Sequence, residues 1–218
     1  MNILTKGRSY ELWQLGGGTQ TVHLGKKPGE LGGIEIPEIL FALIDRTEYL
    51  NRILPCNETG DALIFLQMAL SMYTVKTPPE KKVTVAVEGH IYEIRGHDDL
   101  VQTLTFVRRS GGAITYPTEW PGTQVQEVLR MIIIHTRIIS NKPLKQEVSE
   151  LLTYLRNAIY MYEARADRRK KEDKNTTDGR HDDTERPRGW RYMPFPDVPF
   201  TPDNIEDLPI GEDGHIIC

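Results

Sequence analysis

Residues 36–73, IPEILFALIDRTEYLNRILPCNETGDALIFLQMALSMY, decide the fold because they describe two helices joined by a short turn. Apolar residues recur in the first half at spacings of three and four, which is typical of an amphipathic helix. Pro37 lies near its start, where the missing N–H costs nothing. The second half follows the turn at residues 55–60 and ends before Pro78 and Pro79. So short a turn predicts an antiparallel helical hairpin.

The hairpin recurs later in the chain. A shift of 89 residues places Leu43, Ile44, Thr47, Leu50, Leu63, Leu66, Ala69 and Tyr73 on Ile132, Ile133, Thr136, Ile139, Leu152, Leu155, Ala158 and Tyr162. Upstream, a shift of 82 places Gly7, Tyr10, Glu11, Gln20, Thr21 and Lys26 on Gly89, Tyr92, Glu93, Gln102, Thr103 and Arg108. The similarity predicts a tandem duplication; chance likeness between two generic hairpins is the alternative.

The predicted fold class is α+β, with two tandem units that each place a small antiparallel β-meander before an αα-hairpin. We assign residues 1–79 to the first unit (meander 1–25, hairpin 36–75) and residues 80–171 to the second (meander 82–108, hairpin 124–171). The strands are predicted at residues 2–5, 9–14, 19–24, 83–87, 91–95 and 101–107. Residues 113–123 are predicted to form a loop broken by Pro117 and Pro121.

Three further expectations concern residues 99–109, the last helix and the packing of the hairpins. Taken alone, residues 99–109 fit a helix, but their alignment with residues 19–26 favours a strand. Pro143 is predicted to open a helix that extends to Lys171. The apolar stripe of each hairpin exceeds what its own small sheet can cover, so we expect the hairpins to pack on one another, within the chain or between chains.

Residues 172–218 are predicted to be a polar linker followed by an acidic tail rich in proline. The tail, residues 192–218, contains Tyr192, Phe195, Phe200 and Ile205. Such a segment cannot bury enough apolar surface to fold alone, so it is either disordered or a peptide that docks on a folded protein surface.

Composition narrows the class of protein. The 218 residues are 39% hydrophobic and 27% charged with a net charge of −4, as in an ordinary soluble domain without global attraction to long nucleic acid or an anionic membrane. Cys56 and Cys218 form neither a disulfide framework nor a metal cluster. No apolar run is long enough to span a bilayer, so we expect a cytoplasmic protein without a membrane partner.

The motifs that could support catalysis are weak. Residues 16–18 are three glycines, but no helix and no Lys-Ser or Lys-Thr pair follows, so a hairpin turn is favoured over a phosphate loop. The tripeptide His-Asp-Asp occurs at residues 97–99 and 181–183 in polar turns, without further ligands at metal spacing. Cys56 lacks an evident base. We therefore predict no catalytic residue, no metal and no cofactor.

Basic residues near the end of the last helix are better candidates for binding. Arg165, Arg168 and Arg169 recur at helical spacing, with Tyr160 and Tyr162 one turn earlier, and Lys76 is the counterpart of Arg165 in the first unit. Guanidinium groups bind phosphate in a bidentate way and aromatic faces stack on bases. The alternative is a solvated helical face paired with Glu163, Asp167 and Glu172.

The segments LIDRTEYLN (43–51), PCNE (55–58), LQMAL (66–70), LRNA (155–158) and EARADR (163–168) resemble the helical hairpin domain of phage anti-CBASS and anti-Thoeris sponge proteins. The resemblance implies symmetric oligomers that sequester cyclic oligonucleotide or cyclic ADP-ribose-type immune signals without cleaving them. It implies phosphate contacts at Arg165 and Arg168, followed by Arg46, Thr47, His135 and Thr136. Here the unit is duplicated and the first copy lacks the Arg-x-x-Arg ending.

The resulting expectation is a non-enzymatic protein of the infected bacterial cytosol that withholds a cyclic nucleotide signal. A homo-oligomer is expected, with a trimer of this chain imitating a hexamer of single units. The candidate ligand-binding residues are Arg165, Arg168, Arg169, Tyr162, Arg46, Thr47, His135, Thr136 and Lys76. One alternative is a phage assembly protein whose hairpins oligomerise and whose tail reaches a protein partner. Another is a nuclease or phosphodiesterase that uses the two His-Asp-Asp turns.

Overall fold

The computed structural model describes residues 1–25, 33–74, 82–96, 100–109, 118–140 and 146–176. Several predicted features lie outside these ranges: Lys76, both His-Asp-Asp turns, Pro143 and the tail. Among the described residues, no helix is both long and apolar enough to cross a membrane.

The described chain is α+β, as predicted. The first sheet contains β1 (Asn2–Thr5), β2 (Ser9–Leu15) and β3 (Thr19–His23), and the first hairpin contains α1 (Ile36–Ile53) and α2 (Asn57–Thr74). The second sheet contains β4 (Val83–Val87), β5 (Ile91–Arg95) and β6 (Val101–Thr105). Short strands β7 (Arg108–Arg109), β8 (Thr118–Trp120) and β9 (Gly122–Thr123) precede the second hairpin, α3 (Val125–Ile139) and α4 (Gln146–Thr176).

The two sheets have the same antiparallel topology and the same register. Tyr10 pairs with Val22 in the first sheet, and Tyr92 pairs with Leu104 at the equivalent place in the second. The irregularity between Ile3 and Thr5 recurs between Val85 and Val87. Gly7 and Gly89 both adopt positive φ, +69° and +65°, in the turns that follow. A shift of 82 residues therefore relates the backbone pairing as well as the side chains.

Most of the predicted strands and helices are confirmed to within a few residues. Residues 101–105 form a strand, as the alignment with the first meander indicated. The prediction of a loop over residues 113–123 was wrong at its end, where β8 and β9 form and β9 pairs with β2. Backbone pairing with a distant sheet stabilises these short strands, which leaves little signal in the local sequence. Helix α4 extends to Thr176, beyond the predicted end at residue 171.

The two hairpins pack on one another within the chain, chiefly through α2 and α4. Small residues at the contact allow the helices to approach closely, since Ala62, Ala69 and Ala158 are fully buried. Leucines surround them, including Leu66 and Leu155. One continuous apolar core results, rather than one core for each hairpin.

Each sheet contacts the first helix of the opposite hairpin, a crossing that the sequence did not predict. In the first sheet, the Tyr10 hydroxyl lies 3.4 Å from Nδ1 of His135 on α3. In the second sheet, the equivalent Tyr92 hydroxyl donates to Asp45 on α1 at 2.7 Å. The amino group of Met1 forms an ion pair with Glu127 of α3 at 2.7 Å. The two halves of the chain therefore pack against each other through both sheets and both first helices.

Two glutamine side chains join β3 to β6. The amide of Gln20 donates to the Thr105 carbonyl at 3.1 Å and accepts from the Thr105 N–H at 3.0 Å. Gln102 makes the reciprocal pair of bonds with the backbone of His23, at 3.0 and 2.9 Å. An edge strand presents unpaired backbone groups, so each glutamine amide substitutes for a missing neighbouring strand.

We expect Gln20→Ala to lower the free energy of unfolding by about 1–2 kcal/mol, because two partly buried backbone groups lose their partner. Gln102→Ala should cost less, since its bonds are more exposed. Urea unfolding followed by circular dichroism measures both, with the exposed Gln67→Ala on α2 as the control. Equal free energies of unfolding for Gln20→Ala and wild type would show that Gln20 does not stabilise the contact between β3 and β6.

Glu38 is a buried carboxylate in the first turn of α1. Its Oε2 has no hydrogen-bond partner among the described residues. Burial raises the pKa of Glu38, opposed by backbone N–H groups of the same turn. At the equivalent place in α3, Glu127 is instead paired with Met1 and Arg130. The folded state therefore binds the Glu38 proton more tightly than the unfolded state does.

Because its folded pKa is raised, Glu38 favours folding at low pH, and this contribution is lost as pH rises through that pKa. Glu38→Gln should therefore increase stability at pH 7 by roughly 1 kcal/mol. The gain should shrink toward pH 4, where the wild-type carboxyl is protonated. Thermal unfolding at several pH values tests this, and the exposed Glu48→Gln on the same helix is the control. A gain independent of pH would contradict the assignment.

Candidate functional site

Two reciprocal hydrogen bonds connect the first helix of each hairpin with the last helix of the other. The Thr47 hydroxyl on α1 donates to the Leu43 carbonyl at 2.5 Å, so it accepts the hydrogen bond from the Tyr162 hydroxyl on α4. The equivalent pair, Thr136 on α3 and Tyr73 on α2, lies at 3.5 Å. Each pair joins two residues that are far apart in the sequence. The two pairs occupy equivalent positions in the structure, which we call the first and the second place.

Arg46 occupies the first of these places and is 6% exposed. Its guanidinium donates to the Gly89 carbonyl and, at 2.9 Å, to the Val107 carbonyl, which fastens α1 to the second sheet. It also lies over the rings of Tyr49 and Phe106, at 5.7 and 5.9 Å from their centroids. Its Nε is buried and has no partner among the described residues.

Arg165 lies near Arg46, on the same side of α4 as Tyr162. It is 8% exposed, and its buried Nε also has no hydrogen-bond partner among the described residues. Burial lowers the pKa of Arg46 to about 10; nearby tyrosines oppose this, and the Arg165 charge lowers the pKa further. We call Arg46, Thr47, Tyr162 and Arg165 the Arg165 cluster.

His135 occupies the second place and is as buried as Arg46. Its ring meets Tyr10 edge to face, with centroids 6.1 Å apart and an interplanar angle of 72°. Burial lowers the pKa of the imidazole, so the neutral form is favoured. We call Tyr10, Tyr73, His135 and Thr136 the His135 cluster.

Arg168 and Arg169 lie one turn beyond Arg165 and are partly exposed. The Arg168 Nε donates to Glu58, in the first turn of α2, at 2.7 Å. This bond lowers the pKa of Glu58. Arg168 is therefore paired with a carboxylate of the first hairpin, one turn beyond the buried Arg165.

The structure divides the sequence-predicted site residues into groups. Arg165, Tyr162, Arg46 and Thr47 meet in one cluster, His135 and Thr136 lie in the other, and Arg168 and Arg169 lie at the surface. Sequence reasoning missed the parts contributed by the second sheet, namely the carbonyls of Gly89 and Val107. Backbone groups have no residue signature, although the positive φ of Gly89 indicates a tight turn.

Two other features bear on catalysis and ligand binding. Among the described residues, no group of three or more His, Cys, Asp or Glu is arranged to hold a metal ion. An open groove lies at the turn between α1 and α2, bordered by Asn51, Cys56, Asp61 and Ile64. It is separate from the Arg165 cluster in its lining residues.

Removing the Tyr162 hydroxyl tests the connection between α1 and α4. We expect Tyr162→Phe to lower the free energy of unfolding by about 1 kcal/mol, because a buried hydrogen bond is lost. The matched Tyr73→Phe should cost clearly less, since its 3.5 Å bond is at the limit of hydrogen-bonding distance. Chemical denaturation measures the difference, and equal losses would show that the two places are energetically equivalent.

Comparisons with protein-family models, with curated proteins and with solved structures find no match to this chain.

Proposed function

We propose that this chain is an anti-defence protein of phage type that binds and sequesters a cyclic oligonucleotide or cyclic ADP-ribose-type signal. The observation that carries the proposal is the Arg165 cluster, in which two buried guanidinium groups lie near each other and neither Nε has a hydrogen-bond partner among the described residues. The resemblance of the hairpins to sponge proteins suggests the class of ligand, and the two buried cations support a contact with its phosphate.

A pair of buried cations favours an anionic ligand for an energetic reason. Moving a guanidinium out of water is costly unless a counter-charge accompanies it. Within the described part of the chain, Arg165 forms no ion pair, and the hydrogen bonds of Arg46 are to carbonyls and an imidazole. A phosphodiester brings one negative charge and oxygens that accept bidentate hydrogen bonds, so it would relieve both deficits.

The surroundings suit binding rather than bond cleavage. The groups beside Arg165 are a threonine and a tyrosine that already bond to each other, and burial raises the pKa of Tyr162 to about 12. A hydroxyl with so high a pKa is a poor base near neutral pH. Arg168, farther along α4, is paired with Glu58 and would have to exchange that bond for one to the ligand.

The duplication belongs to the same proposal. A single unit would bury its first helix only by pairing with a second copy, because each sheet covers the opposite hairpin. Joining two such units in one chain fixes that pair and makes it independent of concentration. The equal registers of the two sheets and the reciprocal glutamine bonds support descent from a two-fold homodimer. Assembly of several such chains remains a further part of the proposal.

Calorimetric titration with cyclic dinucleotides, cyclic trinucleotides and cyclic ADP-ribose isomers tests the proposed function. We expect one class to bind with a dissociation constant in the nanomolar range, or about −12 kcal/mol. Heating the complex should release the ligand unchanged, as chromatography against the input compound would show. Loss of the ligand in the presence of a divalent metal would indicate a phosphodiesterase instead.

A second candidate function is particle or complex assembly, and the first hairpin favours it. Ile53 and Leu54 at the end of α1 are exposed apolar residues, as are Ile64 and Met68 on α2. The shift of 89 places polar Thr153 and Asn157 of α4 at the sites of Ile64 and Met68. Exposed apolar patches often mark protein contacts. No heat from any nucleotide, together with an oligomer that Ile64→Lys dissociates, would favour assembly over sequestration.

A further inference from the structure

The described residues of the two clusters are equivalent in position but differ in charge. Thr47 and Tyr162 correspond to Thr136 and Tyr73, and Arg46 corresponds to His135 with the same 6% exposure. One first helix thus places a permanent cation at this position, whereas the other places an imidazole. Arginine stays charged when buried, whereas histidine can become neutral.

The hydrogen bonds around the two positions differ accordingly. In the Arg165 cluster, the second sheet presents carbonyl oxygens to Arg46, and the Tyr92 hydroxyl is engaged by Asp45. In the His135 cluster, the Tyr10 hydroxyl bonds to the imidazole itself, and Ile134 stands where the first hairpin has Asp45. The described part of the His135 cluster therefore contains hydroxyls and a ring, and its polar groups bond to each other.

We infer that the chain has one anion site rather than two. Arg165 and Arg46 receive one phosphate-type group, and the His135 cluster is a neutral packing contact that binds none. The inference rests on the proposed function for the identity of the natural ligand, but the anion site itself does not depend on it. A duplicated protein would then bind one ligand per chain, although its fold provides two equivalent places.

Arg165 is well suited to a test because its removal should leave the fold intact. Its Nε contributes no hydrogen bond within the described residues, and its charge opposes that of Arg46. Replacing it by methionine keeps much of the unbranched side chain and removes the charge. Stability of Arg165→Met without ligand should equal or exceed that of wild type.

The experiment titrates full-length wild type, Arg165→Met and Lys171→Met with inorganic pyrophosphate, and then with the cyclic nucleotide panel. Lys171 is an exposed cation on the same helix and is not a candidate site residue, so Lys171→Met is the matched control. We expect one bound anion per wild-type chain, a loss of about 100-fold in affinity for Arg165→Met, and little change for Lys171→Met. Thermal unfolding of each variant without ligand checks that the fold persists.

Each other outcome separates the two ideas. Two anions per chain, unchanged affinity in Arg165→Met, or no binding of any phosphate compound would overturn the one-site inference. Pyrophosphate binding at one site without binding of any cyclic nucleotide would reject the sponge proposal and leave the anion site standing. Cyclic nucleotide binding at two sites per chain would leave the sponge standing and reject the single site.

Discussion

The fold depends on the requirement that each small sheet cover the first helix of the opposite hairpin. Tyr10 and Tyr92 are fully buried by this crossing, and their hydroxyls meet His135 and Asp45 across it. Large aromatic side chains contribute much of the apolar area that a small domain can bury. Neither half retains this burial if the other is withdrawn, so the interlocked pair is the unit of stability. The placement of Arg46 follows, because its carbonyl partners belong to the second sheet.

The sequence predicted the elements well because their signals are local. Alternation in residues 91–95, where Tyr92 and Ile94 are buried, and the three-four spacing in residues 36–54 each reflect one face of one element. The shift of 82 also resolved residues 101–105 as a strand, since alignment with β3 carried information that the segment lacked. Strand β9 was missed because it follows Pro121 and pairs with β2, more than 100 residues earlier in the chain.

The site was harder to predict than the elements. The resemblance selected Arg46, Thr47 and Arg165, but no spacing in the sequence indicates that Thr47 bonds to Tyr162 or that Arg46 binds the turn at Gly89. The crossing of sheets and hairpins decides those contacts, and two packings with the same local patterns differ only in which sheet covers which helix. Periodicity shows that one face of an element is buried, but it does not show which sheet or helix covers that face.

The proposed duplication and the proposed anion site together give the charge difference between the two clusters an energetic reason. In a homodimer, both copies of a ligand site must stay the same, including the cost of two buried cations in each when no ligand is bound. If the chain arose by duplication, one copy could change independently. A histidine that is neutral when buried then carries less of that cost than an arginine would, while the Arg165 cluster keeps the charges that the proposal assigns to an anion. Marginal stability makes such a change advantageous, since a few kcal/mol is a large share of the roughly 5–15 kcal/mol that holds a domain folded. A single anion site, as proposed, is thus the arrangement in which binding would cost this fold the least.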